Sequence, residues 1–273
     1  ERSTKRKVVL APTGVAAMNA GGVTIHSFFQ LPFAPFVPES HFGGEAKYQY
    51  RFGKEKVNIL RSLDLLVIDE ISMVRADLLD SVDDVLRRYR DRHKPFGGVQ
   101  LLMIGDLQQL SPVVKEQDQQ LLSPYYDHFY FFGSHALAQA GYVTVELTKV
   151  YRQSNAEFLD LLNCIRDNRV DVSVLNRLNR RCLPNFAAEQ PRGYIYLTTH
   201  NQKANDLNTA RLEQLAGEPH VFCAEMEGDF PVYMYPTEEE LVLKVGAQVM
   251  FVKNDISGQH RYYNGMLGRI ISL

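Results

Sequence analysis

Three short segments with mostly apolar residues constrain the fold of this chain more than any other feature. They are Lys7–Ala11, Leu65–Asp69 and Gln100–Gly105. A continuously apolar strand, rather than one that alternates, is typical of a parallel sheet that is covered on both faces. Helical patterns separate these segments, a short one at Glu55–Leu63 and a longer one at Arg75–Arg92. This alternation predicts an α/β domain with a largely parallel sheet flanked by helices.

The pattern changes near residue 148, so we expect a first unit at residues 1–147 and a second at residues 148–273. The second unit opens with a predicted helix at Asn155–Asn168, for which Asn155 is the expected N-cap. Further predicted elements are strands at Thr144–Leu147 and Tyr194–Thr199, a helix at Gln202–Leu215, and strands at Val221–Ala224, Leu241–Val245, Gln248–Val252 and Gly268–Leu273. Residues 30–54 are rich in aromatic residues, proline and glycine and have no clear period, which indicates an excursion from the sheet with a function of its own.

Composition excludes few functions. The net charge of −2 leaves nucleic-acid binding open, because a protein that grips a single strand needs positive charge only locally. No apolar run approaches the ~20 residues that span a bilayer, so no membrane partner is expected. The cysteines Cys164, Cys182 and Cys223 lie far apart and lack metal-ligand spacing, which indicates reduced thiols in a cytosolic protein.

Polar residues follow two of the predicted strands. Asp69 and Glu70 place two carboxylates at the carboxyl edge of the sheet, where α/β proteins bind ligands. In a nucleotide-hydrolysing enzyme such a pair holds magnesium and orients the attacking water, whereas the alternative is an acidic pair that only starts the next helix. The next strand ends in Gly105–Pro112, where the amide of Gln109 is suited to contact a terminal phosphate. A plain surface turn is the alternative there.

Two further segments carry candidate residues. Arg152 lies at the junction of the two units, where an arginine that reaches a phosphate would stabilise a transition state; a solvated surface arginine is the alternative. Residues 11–29 combine small residues with polar and aromatic ones suited to a phosphodiester backbone and a stacked base. The candidates in that segment are Thr13, Thr24, His26, Ser27 and Phe28 (or Phe29 in place of Phe28).

Taken in this order, the segments resemble the Pif-type DNA helicases of the RecD-like branch of helicase superfamily 1. "APTGVAAMNAGGVTIHSFF" resembles motif Ia and its extension, and "IDEISM" resembles motif II, the Walker B element. "PFGGVQLLMIGDLQQLSPV" resembles the end of the family signature running into motif III, and "LTKVYRQSNAEFLDLLNCIR" resembles the motif IV region. "GAQVMFVKND" and "YYNGMLGRI" resemble the entry to the next insertion.

The resemblance implies a RecA-like P-loop NTPase fold with part of a second RecA-like lobe, and a 5′-to-3′ translocase that uses ATP and Mg²⁺ on single-stranded DNA. It implies that Asp69 binds Mg²⁺ through a water ligand and that Glu70 orients or deprotonates the attacking water. It also implies that Gln109 senses the γ-phosphate and that Arg152 stabilises the transition state. DNA would be contacted by Pro12, Thr13, Gly14, Thr24, His26, Ser27, Phe28, Asn264 and Gly265. We also expect a role in DNA repair or recombination and a cytoplasmic, nucleoid-associated location in a bacterium.

The chain departs from the family pattern in two respects. It contains no G-x-x-x-x-G-K-[ST] loop, which supplies the phosphate cradle, and it stops before the family's later motifs. We therefore expect a fragment that binds ATP poorly, does not unwind DNA alone, and hides its exposed sheet face by self-association or by looser packing.

Three alternatives remain open at this stage. One is a non-catalytic DNA- or partner-binding module built on a degenerate helicase core. Another is a different Walker-type ATPase, such as a clamp-loader relative, which the Gly105–Pro112 loop fits badly. The last is a nuclease whose metal ligands would be Asp69, Glu70 and Asp106.

Overall fold

The computed structural model describes residues 4–38, 52–151, 153–184, 196–225, 237–252, 255, 257, 259, 261–263 and 265–273. The chain divides into two compact units, Glu1–Thr148 and Lys149–Leu273.

A parallel sheet forms the centre of the first unit. Its strands are β1 (Lys7–Ala11), β2 (Val23–Thr24), β3 (Leu65–Ile68) and β4 (Gln100–Met103), in the order β2-β1-β3-β4. Every neighbouring pair is parallel. The three strands predicted from the apolar runs are therefore confirmed, as is the flanked parallel sheet.

Helices follow each strand of this unit. They are α1 (Gly14–Asn19), α2 (Ile25–Phe29), α3 (Lys54–Ser62), α4 (Ala76–Tyr89), α5 (Glu116–Leu122) and α6 (His135–Ala140), with single 3₁₀ turns at Ile71–Met73, Pro95–Gly98 and Phe131–Gly133. The apolar stripe predicted for the long helix is confirmed, because Leu79, Val82 and Leu86 of α4 are fully buried. They pack in one core with Leu66 and Ile68 of β3.

Only one face of the sheet carries this core. The other face holds Val9, Leu65 and Val67, which are half-buried, and two more exposed residues, Leu102 and Ile104, at 48% and 45% exposure. The prediction of strands buried on both faces is therefore wrong for Leu102 and Ile104, whereas Ala11 of β1, on the same face, is fully buried. The residues of this face lie outside the core cluster that contains the α4 side chains.

The predicted strand at Thr144–Leu147 is also wrong. These residues form no strand, and Val145 is 77% exposed. An extended segment becomes a strand only when a neighbour completes its backbone hydrogen bonds, and no described segment pairs with this one. The predicted strand at Tyr194–Thr199 is not found at residues 196–199, and residues 194–195 lie outside the described part of the chain.

The described part of the second unit contains three helices and two antiparallel strand pairs. The helices are α7 (Ala156–Arg166), α8 (Val172–Asn179) and α9 (Asn201–Gln214), and the strand pairs are β5 (His220–Cys223) with β6 (Glu240–Leu243) and β7 (Gln248–Met250) with β8 (Leu267–Arg269). Asn155 is the N-cap of α7, as predicted, and its side chain accepts a hydrogen bond from Phe158 N at 2.9 Å.

The remaining predictions concern the cysteines, membrane-spanning helices, residues 30–54 and the identity of the two units. All three cysteines are free thiols, as predicted. Within the described ranges, no helix has the length and apolar character to cross a membrane. Of the excursion at residues 30–54, residues 39–51 lie outside the described part. The assignment of the two units to a first and a partial second RecA-like lobe stays a prediction.

Candidate functional site at the carboxyl edge of the sheet

The candidate residues of the first unit follow strands that end at one edge of the sheet. Leu10 is in register with Ile68, and Ile68 with Met103, so the loops after β1, β3 and β4 leave the sheet side by side. Neighbouring strands are about 4.8 Å apart, which brings the polar residues of these loops to one surface. The prediction that the loops after β3 and β4 leave the sheet at the same edge is confirmed.

The two acids predicted after β3 are held by backbone hydrogen bonds. Asp69 N donates to Leu10 O at 2.8 Å, and Glu70 N donates to the Asp69 carboxylate at 3.0 Å. Glu70 adopts a left-handed backbone conformation, with φ of 51°, which costs a residue with a Cβ roughly 1–2 kcal/mol. Both acids are half-buried. Strain of this kind is typical of functional sites, where the surrounding structure maintains it.

The loop that follows β4 is packed tightly against the residues that follow Glu70. Ile71 N donates to Ile104 O at 2.9 Å. A Cβ on Gly105 would lie 2.9 Å from the Ile71 side chain and 3.1 Å from Ser72 N, closer than atoms normally approach. Only glycine fits this position without displacement, so the two loops form one connected surface.

Gln109 is exposed and is oriented by Asp106. The Gln109 side-chain amide donates to the Asp106 carboxylate at 3.2 Å, and Gln108 N donates to the same carboxylate at 3.0 Å. The turn that Gly105 and Asp106 predict is present at residues 107–108, but sequence reasoning missed that Asp106 also orients the Gln109 side chain. Across the described ranges, no His, Cys, Asp and Glu side chains cluster as a metal site would require, so the nuclease alternative gains no support.

The hydroxyl residues of the segment after β1 act as helix caps. Thr13 Oγ1 accepts from Ala16 N at the start of α1, and Thr24 Oγ1 accepts from Ser27 N at the start of α2, each at 3.2 Å. A cap uses a lone pair of the hydroxyl oxygen, so its O–H remains chemically able to donate to a phosphate oxygen. Pro12 and Gly14 flank the first cap. Ser27 is exposed beside the second.

The predicted role of Phe28 in stacking on a DNA base is wrong. It is only 8% exposed, packs edge-to-face on Phe29 at 4.9 Å, and lies beneath Lys56, whose Nζ is 3.4 Å from the ring centroid. Burial lowers the pKa of Lys56. Neither phenylalanine presents a ring face to a base, because both rings complete the core beneath α2.

His26 is half-buried and stacks on Phe33, with centroids 4.7 Å apart and planes inclined by 16°. Burial lowers the pKa of His26, and the positive charge of Arg75 adds to this effect, while Asp77 opposes it. The imidazole is therefore neutral near pH 7, because its ordinary pKa is about 6.5.

The remaining candidates belong to the second unit. Arg152 and Asn264 lie outside the described residues. Gly265 has φ of 90°, a conformation that favours glycine, and its N–H donates to Phe251 O at 2.7 Å.

A parallel sheet flanked by helices, with acidic and amide loops at its carboxyl edge, is typical of the RecA-like class of α/β proteins. The chain belongs to the PIF1-like helicase family, whose sequence model matches residues 2–174.

Similar proteins extend this assignment over nearly the whole chain. The ATP-dependent DNA helicase PIF1 of Saccharomyces cerevisiae is 34% identical over 96% of this chain and 30% of its own length. Its Homo sapiens counterpart is 36% identical over 97% of this chain and 39% of its own length. The chain thus spans well under half of these relatives.

Solved structures share the fold. Pif1 helicase from Bacteroides in complex with ADP-AlF3 and ssDNA is 39% identical, with a TM-score of 0.81 over 100% of this chain and 61% of that one. A structure of two coordinating Pif1 helicases at forked dsDNA is 40% identical, with a TM-score of 0.83 over 100% of this chain and 62% of that one. The predicted fold class and family are confirmed.

Proposed function

We propose that this chain is part of an ATP-dependent DNA helicase that moves along single-stranded DNA in the 5′-to-3′ direction. The observation that carries the proposal is the connected loop surface at the carboxyl edge, where Glu70 has a left-handed backbone conformation and the next residue, Ile71, packs against Gly105. The family supports it, because relatives over nearly the whole chain are ATP-dependent DNA helicases. Function in DNA repair or recombination belongs to the same proposal.

The acids and the amide would divide the hydrolytic work. Asp69 would hold Mg²⁺ through a water ligand, and Glu70 would orient the attacking water or accept its proton. Gln109 would contact the terminal phosphate, and its hydrogen bond to Asp106 preorients the amide. The role of Arg152 in stabilising the transition state rests on the sequence alone.

Single-stranded DNA would bind along the loops that start α1 and α2. The O–H groups of Thr13, Thr24 and Ser27 are suited to donate to phosphate oxygens, and His26 lies between the last two in sequence. Pro12 and Gly14 allow close backbone approach, and Asn264 and Gly265 would add contacts from the second unit. Phe28 is excluded from this set by its burial.

Glu70→Gln in the intact protein tests the proposal. Loss of a catalytic base lowers turnover by about 10²–10⁴-fold. We expect this loss in DNA-stimulated ATP hydrolysis, with single-strand binding measured by fluorescence anisotropy unchanged. Glu55→Gln, in the first turn of α3, is the control and should leave both unchanged. Hydrolysis that survives Glu70→Gln would contradict the assigned role, and a wild-type protein that binds DNA without hydrolysing ATP would favour the non-catalytic module.

A further inference from the structure

Phe33 is a large aromatic residue that the structure holds in an exposed position. Its side chain is 61% exposed. The chain is anchored before it, where Leu31 is buried and Leu31 N donates to His26 O at 3.0 Å. It is anchored after it, where Phe36 N donates to the Asp77 carboxylate at 3.0 Å. Hydrogen bonds therefore hold the chain on both sides of the exposed Phe33 ring.

Proline limits the backbone freedom of the same segment. Pro32 precedes Phe33, and Pro35 follows two residues later. Each proline fixes its own φ near −65° and restricts the residue before it, so the backbone on both sides of Phe33 has few alternative conformations. Little conformational entropy is lost when a ligand contacts a ring that is already held in place.

One face of the Phe33 ring is already stacked. The His26 imidazole covers it at 4.7 Å in a nearly parallel arrangement. The exposed fraction of Phe33 shows that much of the ring remains accessible to solvent. A planar ring backed by another and open to solvent has the geometry that unpaired bases use when they stack on proteins.

The position of the ring agrees with such a ligand. His26 belongs to α2, which starts at the Thr24 cap and places Ser27 on the surface. The ring that stacks on His26 is thus attached to the same short helix as hydroxyl groups suited to a phosphodiester backbone. A single strand offers phosphates and bases in alternation, and this surface offers partners for both.

We propose that Phe33, backed by His26, is a stacking platform for one unpaired base of single-stranded DNA. The inference rests on the proposed function, since it assumes that a single strand runs along this edge. It assigns to Phe33 the base contact that the sequence analysis placed at Phe28. Stacking is tolerant of sequence, because every base has a π face, so the platform would bind all bases.

An abasic scan in the intact protein tests the platform. Oligonucleotides with one abasic position, moved stepwise along the strand, are titrated against wild type and Phe33→Leu. Base stacking on an aromatic residue changes affinity by about 5- to 150-fold. We expect wild type to lose this factor at one abasic position, and Phe33→Leu to bind the intact and that abasic strand equally.

Controls separate stacking from other causes. Phe33→Trp should retain the base dependence, and Phe132→Leu, at another exposed and stacked phenylalanine, should leave affinity unchanged. Stacking adds no phosphate contact, so the slope of log Kd against log salt should match wild type in Phe33→Leu.

The outcomes are distinct for the two proposals. If wild type binds single-stranded DNA and Phe33→Leu shows the same affinity and abasic profile, the platform is overturned and the proposed function stands. A Phe33→Leu variant with a lower salt slope would also overturn the platform, because the residue would then act through phosphate contacts. If wild type does not bind single-stranded DNA, both proposals fail.

Discussion

Replacement of Asp80 is expected to destabilise the first unit strongly. This residue lies on α4 and is almost fully buried. Its carboxylate accepts hydrogen bonds from Tyr126 Oη at 2.8 Å, from Ser134 Oγ, and from the backbone N–H groups of His135 and Ala136 at 3.1 and 3.0 Å. One side chain therefore ties α4 to the start of α6 and to the aromatic residue that follows α5.

The size of the effect follows from this geometry. Asp80→Ala leaves four donors without their acceptor in a buried position, and breaking a buried polar network in this way costs about 3–5 kcal/mol. That loss is a large part of a typical domain stability of about 5–15 kcal/mol. For a unit of this size it corresponds to a melting temperature lower by roughly 6–20 °C. Tyr126→Phe removes a single donor and should cost about 1.5–3 kcal/mol.

Denaturant and thermal unfolding of the intact protein measure these changes, with circular dichroism as the signal. Asp84→Ala is the control, because Asp84 is on the same helix but its ion pair with Arg88 is partly exposed to solvent. Its stability should stay within about 0.5 kcal/mol of wild type.

The pH dependence provides a second readout. Burial, and then the charge of Asp80, raises the pKa of the Tyr126 phenol above its ordinary value. A raised pKa means that the contribution of Tyr126 is complete below the unfolded pKa of about 10 and is lost as the pH rises above it. The stability difference between wild type and Tyr126→Phe should therefore narrow above that pH. Equal stability of wild type, Tyr126→Phe and Asp80→Ala would refute the reasoning.

Three further predictions concern single positions. Gly105→Ala should destabilise the first unit by about 1–3 kcal/mol and lower ATP hydrolysis, because its Cβ would press on Ile71; unchanged melting and turnover would contradict the tight loop contact. Thr24→Ala should cost about 1 kcal/mol through the lost cap, measured by melting, while Thr24→Ser keeps it. Hydrogen bonds, first from Ser257, lower the pKa of Asp255 to about 2. The contribution of Asp255 to stability is therefore present above the ordinary Asp pKa and is lost as the pH falls toward 2. The melting temperature of Asp255→Asn should accordingly depend less on pH over that range than the melting temperature of wild type.

Local pattern predicted the elements that lie at the carboxyl edge. A short, continuously apolar run such as Leu65–Ile68 is typical of a buried strand in a parallel sheet. The acids that follow the run then lie at the end of the strand. The same reasoning placed Gln109 on the neighbouring loop. These predictions needed no long-range information, because strand direction alone puts the ends of parallel strands at one edge.

Other features depended on residues far apart in the chain. Thr144–Leu147 has a strand-like sequence, but strand formation requires a neighbouring strand that completes its hydrogen bonds. Among the described residues it has none. The aromatic residues between positions 28 and 36 look alike in sequence, yet Phe28 is buried beneath Lys56 while Phe33 is exposed.

The sequence by itself determined the sheet, its acidic edge and the family, because short-range apolar periodicity and motif order carry that information. Only the tertiary structure decided which aromatic ring faces solvent, that Glu70 is strained, and that Asp106 orients Gln109. The physical reason is that burial and hydrogen-bond satisfaction are set by partners from distant segments, as when Phe36 is anchored by Asp77.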